Sequence, residues 1–117
     1  MRIADIEDAF AAFAPVRVRK MFGGHGIYID DIMFAIEIGG EFGLKVDADT
    51  QPVFTAAGST PCVYHVKGQP KPMSFWRMPD EALDDEDALR RWCALALAAA
   101  RRKKAAPPAP RKPRKRA

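Results

Sequence analysis

The stretch RVRKMFGGHGIYIDDIMFAIEIGGEFGLKVD, residues 17–47, decides the fold of this chain. Apolar residues alternate with polar or small residues over four runs, at about residues 16–22, 27–29, 32–38 and 42–46, which is the pattern of half-buried strands. Pairs of glycine or aspartate separate the runs, and both residue types accept the positive φ that tight hairpins need. We therefore predict a four-stranded antiparallel meander with one apolar face.

Two helices are expected around the meander. The first has one apolar stripe and stops before Pro15. The second begins near Asp49 or Thr50, whose side-chain oxygens can cap it, and ends at Gly58. The stripe of the first helix consists of Ile3, Ile6, Phe10 and Phe13.

Two further strand-like runs follow over residues 62–67 and 73–78, joined by a polar connection with Gly68, Pro70 and Pro72. A last helix is predicted from about residue 85 to 100, with acidic residues favourably placed at its N-terminal end. The order is α-β-β-β-β-α-β-β-α without βαβ alternation. This order predicts an α+β fold, a two-layer sandwich of an antiparallel sheet with helices on one face.

Length and composition exclude several classes of protein. A chain of 117 residues, 48% hydrophobic, has room for one domain with one core. It contains no apolar run of about 18 residues that could span a membrane, and its acidic N-terminus is unlike a signal peptide. Cys62 and Cys93 lack CxxC spacing, so we expect reduced cysteines in a core rather than a disulfide. These features predict a cytoplasmic protein.

Charge divides the chain into a body, residues 1–100, and a tail, residues 101–117. The body carries 10 Lys and Arg against 15 Asp and Glu, whereas the tail carries nine basic residues and no acidic one. Pro and Ala between the basic residues predict a disordered tail. Such a tail binds nucleic acid through phosphates, without sequence preference. The alternative interpretation is a solvated terminus. The predicted nucleic-acid-binding residues are Arg101, Arg102, Lys103, Lys104, Arg111, Lys112, Arg114, Lys115 and Arg116.

Candidate catalytic material is sparse. The glycines flanking His25 resemble a phosphate loop, but a strand follows them rather than a helix, so hairpin geometry explains them better. A metal site at His25 and His65 lacks a third ligand at a suitable spacing. No motif of nucleophilic or metal-assisted catalysis occurs. We therefore predict no catalytic residue, no metal and no cofactor.

Phe75, Trp76 and Arg77 form a candidate interaction surface. Neighbouring residues of a strand point to opposite faces, so one of the two rings should lie on the face away from the helices. An exposed ring beside Arg77 suits a protein contact or the stacking of bases. The alternative is that the last helix or a second subunit covers it.

The runs RKMFGGHGIYIDD and LKVD, with the segment KPMSFWRMPDEALDD, closely resemble the N-terminal domain of the TfoX/Sxy family of bacterial competence regulators, over about residues 5–100. The resemblance implies the same α+β fold. It also implies action as a coregulator with a transcription factor of the cyclic-AMP receptor type. Full-length members carry a second, C-terminal domain, and the sequence after Arg101 has no apolar periodicity that would predict one.

Three functions follow. The first is a non-enzymatic regulatory module whose body contacts a protein partner while its tail contacts DNA. The second is a protein-interaction or homodimerisation domain with an incidental tail. The third is an enzyme or small-ligand binder, for which we expect His25 or His65 inside an enclosed polar pocket.

Overall fold

The computed structural model describes residues 1–21 and 23–105 of the chain. Within those ranges it contains six strands and four helices. The strands are β1 (Arg17–Met21), β2 (Gly24–Ile29), β3 (Ile32–Ile38), β4 (Glu41–Lys45), β5 (Pro61–Val66) and β6 (Gln69–Arg77). The helices are α1 (Ile3–Phe10), α2 (Gln51–Ala56), α3 (Glu81–Asp84) and α4 (Glu86–Ala105).

All six strands form one antiparallel sheet in the order β1-β2-β3-β4-β6-β5. The first four are the predicted meander, and the α+β class is confirmed. The chain leaves the sheet after β4, forms α2 and returns to the outer edge as β5. β6 then closes the gap beside β4. None of the described helices is both long and apolar enough to cross a membrane.

Two hairpin turns have the predicted chemistry. Asp30 and Asp31 have φ of 50° and 62°, and Gly39 and Gly40 have φ of 61° and 86°. Positive φ at both central residues matches the right-handed twist of the flanking strands. These two pairs therefore set the register of the β2–β3 and β3–β4 hairpins.

The core lies between the sheet and the helices. Phe10 of α1 packs edge-on against Phe34 and Phe42, with ring centroids 5.7 and 5.1 Å apart. Phe54 of α2 meets Trp92 of α4 at 4.8 Å. Each ring stabilises the fold by about 2 to 3 kcal/mol through burial. Cys62 and Cys93 are both free, as predicted; Cys93 is fully buried in the core, whereas Cys62 is partly buried and lies outside the core, against the prediction.

The expected polar connection between the last two strands is wrong. Lys67 and Gly68 alone make the turn, with φ of 51° and 77°, and β6 already includes Pro70 and Pro72. β4 pairs with β6 over Phe75 to Arg77, and a further bond joins the Val46 N–H to the Ser74 carbonyl at 2.9 Å. The first part of β6 therefore has one neighbour, where a proline without an N–H is tolerated.

The predicted cap of α2 is also wrong. The helix begins after Thr50, as predicted, but neither Asp49 nor Thr50 caps it with its side chain; the Oδ1 atom of Asp47 accepts the N–H groups of both residues at 3.1 Å. The N–H of Asp47 in turn donates to the Thr50 Oγ1 atom at 3.0 Å. The predicted stop is present, since Gly58 follows α2 with φ of 82°.

The last helix differs from the prediction at both ends. A separate α3 precedes it, and α4 continues to Ala105, five residues past the predicted end. Ala, Arg and Lys are strong helix formers, and cations stabilise the negative C-terminal end of a helix. Residues 101–105 of the predicted tail are therefore helical. The rest of the tail predicted to be disordered, residues 106–117, lies outside the described residues.

Candidate interaction surfaces

The side of the sheet away from the helices, here the outer sheet face, carries apolar side chains. Ala35, Leu44 and Trp76 are paired across three strands and contact the core, so their strand neighbours point the other way. Ile36 and Phe75 are buried there, with 1% and 7% exposure. The burial comes from contacts within the outer sheet face itself.

Two glycines lie at the centres of apolar clusters on this face. A Cβ atom on Gly43 would come within 2.7 Å of the Cys62 Sγ atom and 3.0 Å of the Ile36 side chain. On Gly26 it would come within 2.9 Å of the Met33 Sδ atom and 3.0 Å of the Tyr28 ring. Side chains of neighbouring strands thus fill the space above both glycines. The result is a surface of buried and half-buried apolar groups.

Cations surround the two clusters. Arg17 pairs with Asp31 at 3.6 Å, and the Nζ atom of Lys45 lies 5.0 Å from the centroid of the Phe75 ring. Arg19 is exposed and stands opposite Gly26 in the register of β1 and β2. The outer sheet face is thus apolar at its centre and basic at its margin.

The three residues of the predicted aromatic surface do not lie on one face. Phe75 and Arg77 belong to the outer sheet face, where Arg77 is exposed and pairs with Glu41 at 3.1 Å. Trp76 points to the helices and packs half-buried against the core. Neither ring is exposed enough to stack a base. To the outer sheet face, these three residues contribute the apolar side chain of Phe75 and the charge of Arg77.

The four helical basic residues of the predicted tail form the basic end of α4, Arg101–Lys104. All four are exposed. Arg102 is committed to the body: its Nε atom donates to the Asp47 Oδ2 atom at 2.7 Å, and its Nη2 atom to Oδ1 at 3.1 Å. The Arg102 hydrogen bonds lower the pKa of Asp47 to about 2, against the opposing effect of burial. The residues Arg111, Lys112, Arg114, Lys115 and Arg116 lie outside the described residues.

A cleft of about 360 Å³ separates the end of α4 from the sheet, here the β4–α4 cleft. The Nζ atom of Lys45 donates to the Ser74 Oγ atom at 2.6 Å inside it. Burial and the charge of Lys103 lower the pKa of Lys45. Sequence reasoning missed both residues, because a single lysine and serine in strands give no motif. The cleft is lined by Lys45, Val46, Asp47, Ser74, Arg102 and Lys103.

His25 and Glu37 form a buried pair at the opposite end of the sheet. The Nδ1 atom of His25 is 2.7 Å from the Glu37 Oε1 atom, and the Gly40 N–H donates to Oε2 at 2.7 Å. Burial by itself would raise the pKa of Glu37, but the hydrogen bonds from His25 and Gly40 outweigh it and lower the pKa. Glu37 is therefore an anion, and Nδ1 carries the proton that binds it.

The two histidines lie in different environments. His65 is exposed, whereas His25 is buried and borders an open cleft rather than an enclosed pocket. Opposite positions on β2 and β3 bring His25 and Glu37 together, which the sequence could suggest only once the register was known. Within the described ranges, no three side chains form a group that could hold a metal ion.

The structure thus defines a small α+β domain with exposed cations at the end of its last helix and an apolar outer sheet face. The chain belongs to the TfoX N-terminal domain family, whose model matches residues 8–100. The resemblance stated from sequence is thus confirmed, and the family is a competence-related regulatory one. No curated protein matches the chain.

Proposed function

We propose that this protein is a non-enzymatic regulatory module that holds itself near DNA through its basic C-terminal segment and contacts a protein partner through its body. Membership of the family supports the regulatory role. The observation that carries the DNA contact is the basic end of α4. Arg101, Lys103 and Lys104 are exposed there on a helix, and five more basic residues follow in the sequence from Arg111 onward.

The number of available charges predicts the salt dependence of binding. Arg102 is engaged with Asp47 and Asp49, which leaves eight of the nine basic residues for phosphates. Each phosphate neutralised on duplex DNA contributes about −0.9 to the slope of log affinity against log salt, so full engagement gives about −7. Binding of this kind has a dissociation constant of roughly 1 to 100 μM and ignores base sequence.

The test is a titration of two unrelated fluorescent duplexes at several salt concentrations. The triple variant Arg101→Gln, Lys103→Gln, Lys104→Gln should weaken binding to both duplexes and reduce the slope by about 3. The matched control removes three exposed cations elsewhere, with Arg2→Gln, Lys71→Gln and Arg91→Gln, and should retain the slope. Equal behaviour of the two variants would contradict the assignment.

For the protein partner, the outer sheet face is the surface with the required composition. Its apolar centre and basic margin suit a partner with apolar and acidic groups, and the resemblance suggests a transcription factor of the cyclic-AMP receptor type. The alternative function, a homodimerisation domain, uses the same face with a second copy.

Light scattering after gel filtration separates these two functions. Met33→Glu introduces a charge among the half-buried residues over Gly26, and Val53→Glu introduces one at an exposed position of α2. If the face binds a transcription factor, the chain alone is a monomer and only Met33→Glu prevents the complex. If the face binds a second copy, the chain alone has twice the monomer mass and Met33→Glu halves it.

A further inference from the structure

The β4–α4 cleft holds an ammonium group in a fixed position. The Lys45 Nζ atom is bonded to Ser74 Oγ at 2.6 Å and lies 5.0 Å from the centre of the Phe75 ring. An ammonium has three protons, so two remain for another acceptor, and the Ser74 hydroxyl still has its own proton to donate. Two ammonium protons and one hydroxyl proton therefore remain available in the cleft.

Positive charge in the cleft exceeds negative charge. Among its lining residues, Lys45, Arg102 and Lys103 are cations and Asp47 is the one acid. Both carboxylate oxygens of Asp47 already accept bonds from Arg102. In the part of the chain that the structure describes, neither Lys45 nor Lys103 has an acidic partner. The last twelve residues of the sequence contain no Asp or Glu that could supply one.

Burial lowers the pKa of Lys45, and repulsion by the charge of Lys103 lowers it further. An anion between them would remove that repulsion and satisfy the free protons. The C-terminal end of a helix itself disfavours anions, so the attraction comes from the side chains. A group with several acceptor oxygens and a full negative charge matches this arrangement best, and lysine commonly binds phosphate in this way.

We propose that the β4–α4 cleft is a phosphate-binding site in which Lys45, Ser74 and Lys103 donate to the phosphate oxygens. The phosphate can belong to the DNA backbone, in which case the site adds one contact to the proposed function and rests on it. It can also belong to a small phosphate compound, which requires no DNA binding at all.

The first experiment titrates the full chain with inorganic phosphate and follows the backbone amides by NMR. Sodium chloride at matched ionic strength controls for screening. We expect saturable shifts at Val46, Ser74 and Lys103 with phosphate and none with chloride. Lys45→Gln should reduce the affinity at least fivefold, and Lys71→Gln, an exposed lysine on the neighbouring part of β6, should leave it unchanged.

Lys103→Gln is the second variant, because Lys103 is exposed on a helix and its replacement leaves the packing intact. It should weaken phosphate binding as Lys45→Gln does, even if Lys45→Gln disturbs the sheet. Shifts that grow linearly with phosphate, or that match those in chloride, would overturn the site. The site is equally wrong if both variants bind phosphate like the unaltered chain.

The second experiment measures duplex binding by Lys45→Gln and Lys71→Gln at several salt concentrations. A slope reduced by about 1 in Lys45→Gln alone identifies the DNA backbone as the source of the phosphate. An unchanged slope, with phosphate still bound, assigns the site to a small phosphate compound and leaves the proposed DNA contact intact. If the full chain binds no DNA, the proposed DNA contact is wrong, and the phosphate titration alone decides the site.

Discussion

At the scale of single residues, the His25–Glu37 pair shows how an ionised group is kept inside the domain. Glu37 is only 3% exposed, and burying a carboxylate is costly unless its oxygens are bonded. One carboxylate oxygen of Glu37 is bonded to the His25 ring, and the other accepts the Gly40 N–H. The pair therefore joins the β3–β4 turn to β2.

Glu37→Gln should lower the free energy of unfolding by about 2 kcal/mol, because the charge that binds His25 is lost from a buried place. Urea denaturation at pH 7 measures the change. Glu41→Gln is the matched control: its ion pair with Arg77 is exposed, so we expect a loss below about 1 kcal/mol. Equal losses would mean that the buried pair contributes no more than a surface pair.

The ion pair of Asp47 predicts a dependence of stability on pH. The pKa of Asp47 is lowered from 3.8 to about 2 in the folded chain. A lowered pKa means that the stabilisation is complete above about pH 4 and is lost as the pH falls toward 2. Because the Arg102 side chain is 45% exposed, solvent screening limits the effect to about 1 kcal/mol.

The measurement is the free energy of unfolding at pH 5.5 and at pH 2.5. Asp47→Asn should be less stable than the unaltered chain at pH 5.5 and should lose less on acidification. Asp31→Asn, which removes the exposed pair with Arg17, should follow the unaltered chain at both values. Parallel curves for all three proteins would show that the Arg102 bond contributes no stability.

At the scale of elements, the packing of side chains over β4 requires a glycine at one position of the strand. Gly43 is the only position of β4 without a side chain, and Cys62, Ile36 and Phe75 occupy the space above it. The glycine thus allows β3, β4, β5 and β6 to share one apolar cluster on the outer sheet face.

Gly43→Ala should destabilise the protein by about 1 to 3 kcal/mol, because the new methyl group would lie 2.7 Å from the Cys62 Sγ atom. Thermal unfolding of the variant measures the loss. The double variant Gly43→Ala, Cys62→Ala removes the closest contact and should recover part of the stability. If Cys62→Ala gives no recovery in that background, the loss has another cause than this contact.

The sequence predicted local structure better than long-range contacts. Alternation and the Asp-Asp and Gly-Gly turns are local signals, and they predicted the meander correctly. The insertion of β6 beside β4 has no local signal, because it depends on how the returning chain packs. The Arg102–Asp47 bond joins residues 55 positions apart, so neither the true end of α4 nor the β4–α4 cleft was accessible to pattern reasoning.

The register of β3 gives a second example. Its pairing with β2 shifts between Ile27 and Tyr28, so Phe34 and Ala35 both contact the core. A bulge of this kind interrupts the period of two that the sequence analysis assumed. Glu37 is consequently on the helix side of the sheet, opposite His25, instead of on a solvated face.

At the scale of the whole molecule, the last helix crosses the boundary that composition suggests. The change from acidic to basic sequence falls at residue 101, but α4 continues to Ala105, and the Arg102 bond joins this part of the helix to Asp47. The proposed DNA contact and the stability of the domain therefore depend on neighbouring residues of one turn of helix.

Two truncations test this boundary. A chain of residues 1–105 should unfold at the same urea concentration as the full chain. A chain of residues 1–100 loses Arg102 and should unfold at a lower urea concentration. Identical midpoints for the two truncations would contradict the role of Arg102, and a loss already at residue 105 would show that the last twelve residues stabilise the body.

The proline-containing start of β6 has a consequence for the behaviour of the protein at high concentration. The part of β6 that contains Pro70 and Pro72 lies beyond the residues paired with β4, so β5 is its one neighbouring strand. A flank of this kind is a template on which another chain can add a strand and begin to aggregate. Proline has no N–H to offer such a strand, so this flank of β6 is a poor template for another chain.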